Sequence, residues 1–219
     1  MRKKVILFGC QAISIDILRF LSSQADVDIL KVVTYEVLSD VSRGQESIKT
    51  VAADLGIDVL SPQRISQDLV EQIRILNPDL IISAYYRKIF PQELIEIPLF
   101  GILNIHPSML PYYRGPVPTA WAILNNESEF GITVHKVDTG IDTGDILVQS
   151  RHDIGDDETG YELYLRAMAL GAKLLIDNFD KIITSRIQPI KQESGGSYYG
   201  KLESRVFLNW KQSAQKIKN

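Results

Sequence analysis

Asn104 and His106 lie two residues apart in Gly101-Ile-Leu-Asn-Ile-His-Pro107. If this segment is a strand, both side chains point to one face, because strand side chains alternate. An amide donor and an imidazole would then converge on one point, near the C-terminal end that Pro107 closes. Ligands gather at that edge in open parallel sheets. Two such groups suit an oxyanion developing during acyl transfer. Further on, Val137-Asp-Thr-Gly-Ile-Asp-Thr-Gly-Asp145 places three carboxylates and two glycines in nine residues. That loop is too polar for buried core. One of its carboxylates could hold His106 protonated.

Each signal also has a plainer reading. Asn104 could bond a turn backbone, and a lone histidine is more often structural. The aspartate loop could be a solvated turn. It lacks the terminal glutamate of a calcium loop. The three histidines, His106, His135 and His152, have no zinc-like spacing. No Gly-x-Ser-x-Gly is present for a serine hydrolase.

The elements that must position these residues are legible in the hydrophobic pattern. Val5 to Gly9 and Leu80 to Ser83 are continuous apolar runs, the mark of strands buried on both faces. Ile29 to Thr34 and Val59-Leu60 read as further strands. Helical spacing marks 13–21, 46–55, 66–76 and a short piece at 92–95, with Asn77-Pro78 ending the third. Strands are expected at 101–105, 131–137 and 146–151, with a helix at 119–124. A long helix over 160–184 is introduced by Asp156-Asp157-Glu158-Thr159. This alternation predicts an α/β fold with a doubly wound, mostly parallel, Rossmann-like sheet. The expected division is a catalytic domain over 1–190 and a short C-terminal extension over 191–219, with a weak helix signal at 212–218. Gly9-Cys10-Gln11-Ala12 lacks the glycines of a dinucleotide phosphate loop.

The chain has 219 residues, a net charge of −3 and one cysteine, Cys10. Nothing in these totals points to nucleic acid, a membrane span or a disulfide framework, and a cytoplasmic location is the default.

Asn104-Ile-His-Pro-Ser-Met-Leu-Pro-Tyr-Tyr-Arg-Gly115, followed by Ile141-Asp142-Thr-Gly144, resembles the formyltransferases that use N10-formyltetrahydrofolate. The resemblance runs over about 1–190. It implies Asn104, His106 and Asp142 as the catalytic set, with no metal. His135 matches a position that is usually histidine in the transformylase branch. The resemblance also implies folate seated against Lys88, Ile89 and Phe90 and against Asp138, Thr139, Gly140 and Ile141. Ser108, Tyr112 and Arg114 would line the acceptor side. Arg114 suits a diphosphate through bidentate contacts, and Tyr112 and Tyr113 could stack on a base or pack.

Tyr85-Tyr86-Arg87-Lys88-Ile89 resembles the sugar-nucleotide branch, as does the tail from Tyr198-Tyr199-Gly200-Lys201 through Asn209-Trp210. The acceptor expected from this is the amine of a nucleotide-linked amino sugar, a small molecule, with a homodimer through 190–219 as a further expectation. Methionyl-tRNA and glycinamide ribonucleotide are the alternative acceptors. A folate-binding or regulatory domain without activity is the alternative of another class, and a hydrolase passing the formyl group to water is a third.

Overall fold

The structure is a computed structural model and describes residues 2–35, 46–202 and 211. Asn209-Trp210 and the helix expected at 212–218 lie outside the described residues. Among the described residues, seven strands form one sheet: β1 (Lys3–Gly9), β2 (Val27–Val33), β3 (Val59–Leu60), β4 (Leu80–Ala84), β5 (Ile102–His106), β6 (Glu129–Lys136) and β7 (Ile146–Asp153). Their order is β3-β2-β1-β4-β5-β6-β7. The first five are parallel, and β6 and β7 run antiparallel at one edge.

The described helices are α1 (Gln11–Ser23), α2 (Ile48–Asp54), α3 (Gln67–Leu76), α4 (Gln92–Ile95), α5 (Pro118–Leu124) and α6 (Gly160–Ile183). They cover both faces of the sheet. Ile13, Ile17 and Leu21 of α1, Val51 of α2 and Leu175 of α6 pack on one face, with Val5 and Leu7 of β1 and Ile82 of β4. Leu69 and Ile73 of α3 and Leu94 of α4 pack on the other, with Ile6 and Phe8 of β1 and Ile81 of β4. The alternation of β1 between these two cores explains its unbroken apolar run: both of its faces are interior.

Sequence signals set the helix ends. Ser66 caps α3 through its hydroxyl, and Asn77 closes it in a left-handed conformation. Thr159 and Glu162 form a capping box at the start of α6. Of the acidic run expected there, Thr159 is the cap, while Glu158 pairs with Arg166 instead. Gly171 lets α6 lie close under the sheet. A Cβ there would sit 2.9 Å from Ile105 Cγ2, on the strand that carries Asn104 and His106.

The turn from β1 to α1 is filled from within. A Cβ on Gly9 would meet the Ser14 hydroxyl at 2.3 Å, and that hydroxyl donates to the carbonyls of Cys10 and Ala84. No helix among the described residues is long and apolar enough to cross a membrane.

Candidate active site

β5 lies between β4 and β6, and its pairing decides what surrounds Asn104. Ser83 of β4 and His135 of β6 are its register partners. The amide oxygen of Asn104 accepts from Ser83 Oγ at 3.0 Å. Its amide nitrogen lies 3.1 Å from His135 Nε2. His135 Nδ1 lies 2.7 Å from the Lys136 carbonyl. A carbonyl only accepts, so Nδ1 carries the proton and Nε2 receives the amide N–H. Both ends of the amide are thereby assigned, and the second N–H of Nδ2 is left to point at a ligand.

His106 is treated differently. Its Nε2 lies 2.8 Å from the Tyr113 carbonyl, so Nε2–H donates there. Its Nδ1 faces Asp142 Oδ2 at 3.6 Å, beyond hydrogen-bond reach. The ring is 5 % exposed. Burial pushes the imidazole below its ordinary range; Asp142 and the Tyr113 carbonyl pull it partly back, and His135 lowers it again. Burial thus works against the protonated His106 expected from the loop carboxylate, and favours the neutral ring. Nδ1 then carries a lone pair, ready to take a proton beside a waiting negative charge.

Only Asp142 of the three loop aspartates reaches the histidines. Oδ2 accepts from the Gly115 backbone N–H at 2.9 Å, and Oδ1 lies 3.6 Å from His135 Nε2. Burial raises its carboxyl, but His106 and the Gly115 N–H pull it down, and it lies below the usual carboxylate range. The pull from His106 is full only when that ring is charged; the Gly115 hydrogen bond acts throughout. Asp142 sits at φ 54°, a conformation that costs a non-glycine residue energy and so has to be held by its surroundings. Asp138 is a scaffold residue. Its carboxylate accepts from Gly140 N and Thr143 Oγ1 and shapes the loop. Gly144 is obligatory there, since a Cβ would fall 1.9 Å from the Lys136 carbonyl oxygen. Asp145 contributes its backbone carbonyl to Lys136 N.

The remaining residues singled out in the sequence divide into exposed and committed groups. Ile89 and Ile141 are exposed apolar side chains, at 75 % and 46 %. Phe90 is buried against Phe8. Lys88 Nζ donates to the carbonyls of Pro62 and Gln63, which uses two of its three N–H donors. Thr139 and Gly140 are exposed on the loop. Ser108 is buried, donates to the Tyr112 carbonyl and lies on the wall of the cavity beside Pro107. Tyr112 is 58 % exposed. Tyr113 stacks on Tyr199 with ring centroids 4.8 Å apart. A cavity of about 220 Å³ opens beside Pro107, lined among others by Met109, Tyr112, Tyr113, Glu127 and Arg151.

Three residues of the site were not among those predicted to act in it. His135 is distinguished in the sequence by a family match but by no role. Its alternation with Thr133 on a buried strand is a signal, but the register that sets it opposite Asn104 is tertiary. Ser83 reads as the end of an apolar strand. Gln192 lies in a polar tail, yet its amide contacts Arg114, Asp142 and Gly144.

This arrangement offers an oriented amide donor, a neutral imidazole base and a fixed carboxylate to receive the resulting charge. It suits acyl or formyl transfer to a nucleophile.

Residues 3–179 match the family model described as formyl transferase. A methionyl-tRNA formyltransferase of Geobacter metallireducens is 39 % identical over 199 residues, covering 88 % of this chain and 64 % of that protein. The chain thus spans less than two thirds of that relative's length. The structure of a sugar 3N-formyl transferase, WlaRD, solved in the presence of dTDP and 5-N-formyl-THF, aligns with a TM-score of 0.81 at 24 % identity, covering 100 % of this chain and 77 % of that one. The formyltransferase PseJ from Anoxybacillus kamchatkensis, in complex with UDP-4,6-dideoxy-4-formamido-L-AltNAc and tetrahydrofolate, aligns at 0.64 with 28 % identity, covering 90 % and 85 %.

Proposed function

Because this chain belongs to the formyl transferase family, we propose that it transfers the formyl group of N10-formyltetrahydrofolate to a primary amine, with Asn104, His106 and Asp142 performing the chemistry. The observation that carries this reading is the assigned hydrogen-bond pattern: one free amide N–H from Asn104 and one proton-accepting nitrogen, His106 Nδ1, backed by an ionised carboxylate at 3.6 Å.

The amine lone pair attacks the formyl carbon, and the carbonyl electrons move onto oxygen. Asn104 Nδ2–H donates to that oxyanion, a contribution of about 3 kcal/mol for one such donor. The attacking nitrogen becomes acidic as its bond forms. Neutral His106 takes its proton at Nδ1, and Asp142 stabilises the imidazolium. The proton is then delivered to the departing N10 of the folate. Tetrahydrofolate and the N-formyl product leave, and His106 is neutral again. A general base of this kind contributes roughly 10²–10⁴-fold. The exposed Ile89 and Ile141, with the backbone of 88–90 and 138–141, suit the apolar ring system of the folate. The donors are all protein groups, so no metal is needed for charge stabilisation.

For the acceptor, the reading is a nucleotide-linked amino sugar. Arg114 supports it: the guanidinium is held beside the triad by Gln192, with three of its five N–H donors left for a diphosphate. PseJ, whose structure holds a formamido sugar nucleotide, is 28 % identical. Methionyl-tRNA is the second reading, favoured by the 39 % identity to the Geobacter enzyme. Either way the protein would work in the cytoplasm, where reduced folates are found.

The test is tetrahydrofolate formation from 10-formyltetrahydrofolate with purified protein. The acceptors are dTDP- and UDP-linked amino sugars, methionyl initiator tRNA, glycinamide ribonucleotide and, for the hydrolase reading, water alone. Turnover with an amino sugar is expected, with the Asn104→Ala control slower by about 10²–10³-fold. No release above that control with any acceptor would refute the reading.

A further inference from the structure

Gln192 commits its whole side-chain amide. Oε1 accepts from Arg114 Nε at 3.2 Å and from Arg114 Nη2 at 2.7 Å. Nε2 donates to the backbone carbonyls of Asp142 at 2.9 Å and Gly144 at 2.7 Å. One side chain therefore joins the arginine loop to the aspartate loop. The segment that presents it is anchored on both sides. Ile190 exchanges two backbone hydrogen bonds with Ile146, both 2.8 Å. Ser197 takes the backbone N–H of Arg114 on its carbonyl and that of Tyr113 on its hydroxyl, both at 2.9 Å.

The two loops it joins are also hydrogen-bonded directly, Gly115 N to Asp142 Oδ2 at 2.9 Å. Gly115 follows Arg114 in the chain, so a displacement of the arginine loop carries that contact with it. Asp142 is in the left-handed region, where a non-glycine residue relaxes unless held. The Gln192 tether acts on the carbonyl of Asp142 itself, and so on the backbone that aims its carboxylate.

We propose that Gln192 is a positioning residue that fixes the Arg114 guanidinium and the Asp142 carboxylate in one arrangement, so that an anionic group bound at Arg114 and the carboxylate facing His106 are coupled. The mechanistic consequence rests on the formyl-transfer reading above; the tether does not. A phosphate on the free edge of Arg114 would press the same network that aims Asp142, which ties acceptor binding to proton transfer.

The groups that face His106 and affect its titration are Asp142 and His135. The experiment follows the His106 ring proton by NMR against pH in the full chain without ligand. Gln192→Met keeps the length of the side chain and removes all four hydrogen bonds. At an effective dielectric near 20, moving Asp142 about 1 Å further from His106 lowers the His106 midpoint by about 0.7 of a pH unit. A shift of that order is expected in the Met variant, with the wild-type melting curve as the check on folding. Gln192→Ala repeats the titration should the Met variant fail to fold. A midpoint that coincides with the wild type in the folded variant overturns the proposal.

Gln192→Glu separates the two halves of the tether. A carboxylate still accepts from Arg114 but cannot donate to the Asp142 and Gly144 carbonyls. With the acceptor the wild type uses from the panel above, kcat is expected to fall about tenfold or more while the acceptor KM holds, a selective loss of transition-state stabilisation. Unchanged kcat overturns the coupling. A wild type inert with every acceptor refutes the functional reading instead, and the titration alone then judges the tether.

Discussion

Asp142→Asn isolates the charge that receives the His106 proton. The amide is nearly isosteric and its oxygen can still accept from Gly115 N, so the loop keeps its anchor. What disappears is one negative charge 3.6 Å from His106 Nδ1, with side-chain exposures of 6 % and 15 %. At an effective dielectric near 20 that interaction amounts to about 4.6 kcal/mol. Removing it lowers the imidazole further. The wild-type imidazole already titrates below its ordinary value because of burial. The acid limb of kcat against pH should therefore lie below about pH 6.5 in the wild type and move further down in the variant. The plateau should drop by about 10²–10³-fold, because the proton now goes to a weaker base without a counter-charge. Steady-state tetrahydrofolate formation over about pH 4–8, the window set by the histidine range, measures both quantities. An acid limb that stays in place, or turnover within a few fold of wild type, refutes the charge-pair reasoning. An inactive variant whose His106 midpoint has not moved does so as well.

Asn104→Ala should lose about 10²–10³-fold in turnover with its melting curve intact, since it removes one oriented donor to the oxyanion. His135→Gln should cost less, about tenfold, because the amide of Asn104 loses its orienting partner but keeps its N–H; a loss equal to that of Asn104→Ala would make His135 a direct participant. The depressed His106 titration also links folding to pH: stability is complete above the unfolded histidine range near about 6.5 and is lost as pH falls through the folded midpoint, which urea melts at about pH 7 and pH 5 compare. Gly171→Leu forces side-chain volume against Ile105 and Ile13 and should destabilise by about 1–3 kcal/mol, read from denaturant midpoints.

The strands of the parallel half were legible because each is buried on two faces and so reads as an unbroken apolar run, as Val5 to Phe8 and Leu80 to Ile82 show. Helix limits were legible where a local signal sets them: Ser66 and Asn77 around α3, Thr159 before α6. Within the site, Asn104 and His106 were placed on one face by strand periodicity alone. The exclusion of a phosphate loop at Gly9 followed from missing glycines, and the structure adds the Ser14 hydroxyl that fills the turn.

Other features depend on distance in space rather than in sequence. His135 became a partner of Asn104 only through the β5–β6 register, a pairing that strand composition does not encode. For His106 the loop carboxylate that favours the charged ring is visible in the sequence, whereas the burial that opposes it is not. Gln192 joins residues 78 and 50 positions away in the chain.

By itself, the sequence determined the sheet, its helices and the motif that names the three catalytic candidates, since those follow from periodicity and local chemistry. Tertiary structure decided which aspartate faces the imidazole, which nitrogens of His106 and His135 face a carbonyl, and what holds the carboxylate in place. Those outcomes turn on desolvation and on hydrogen bonds across strands and loops, and both exist only once the chain has folded around the site.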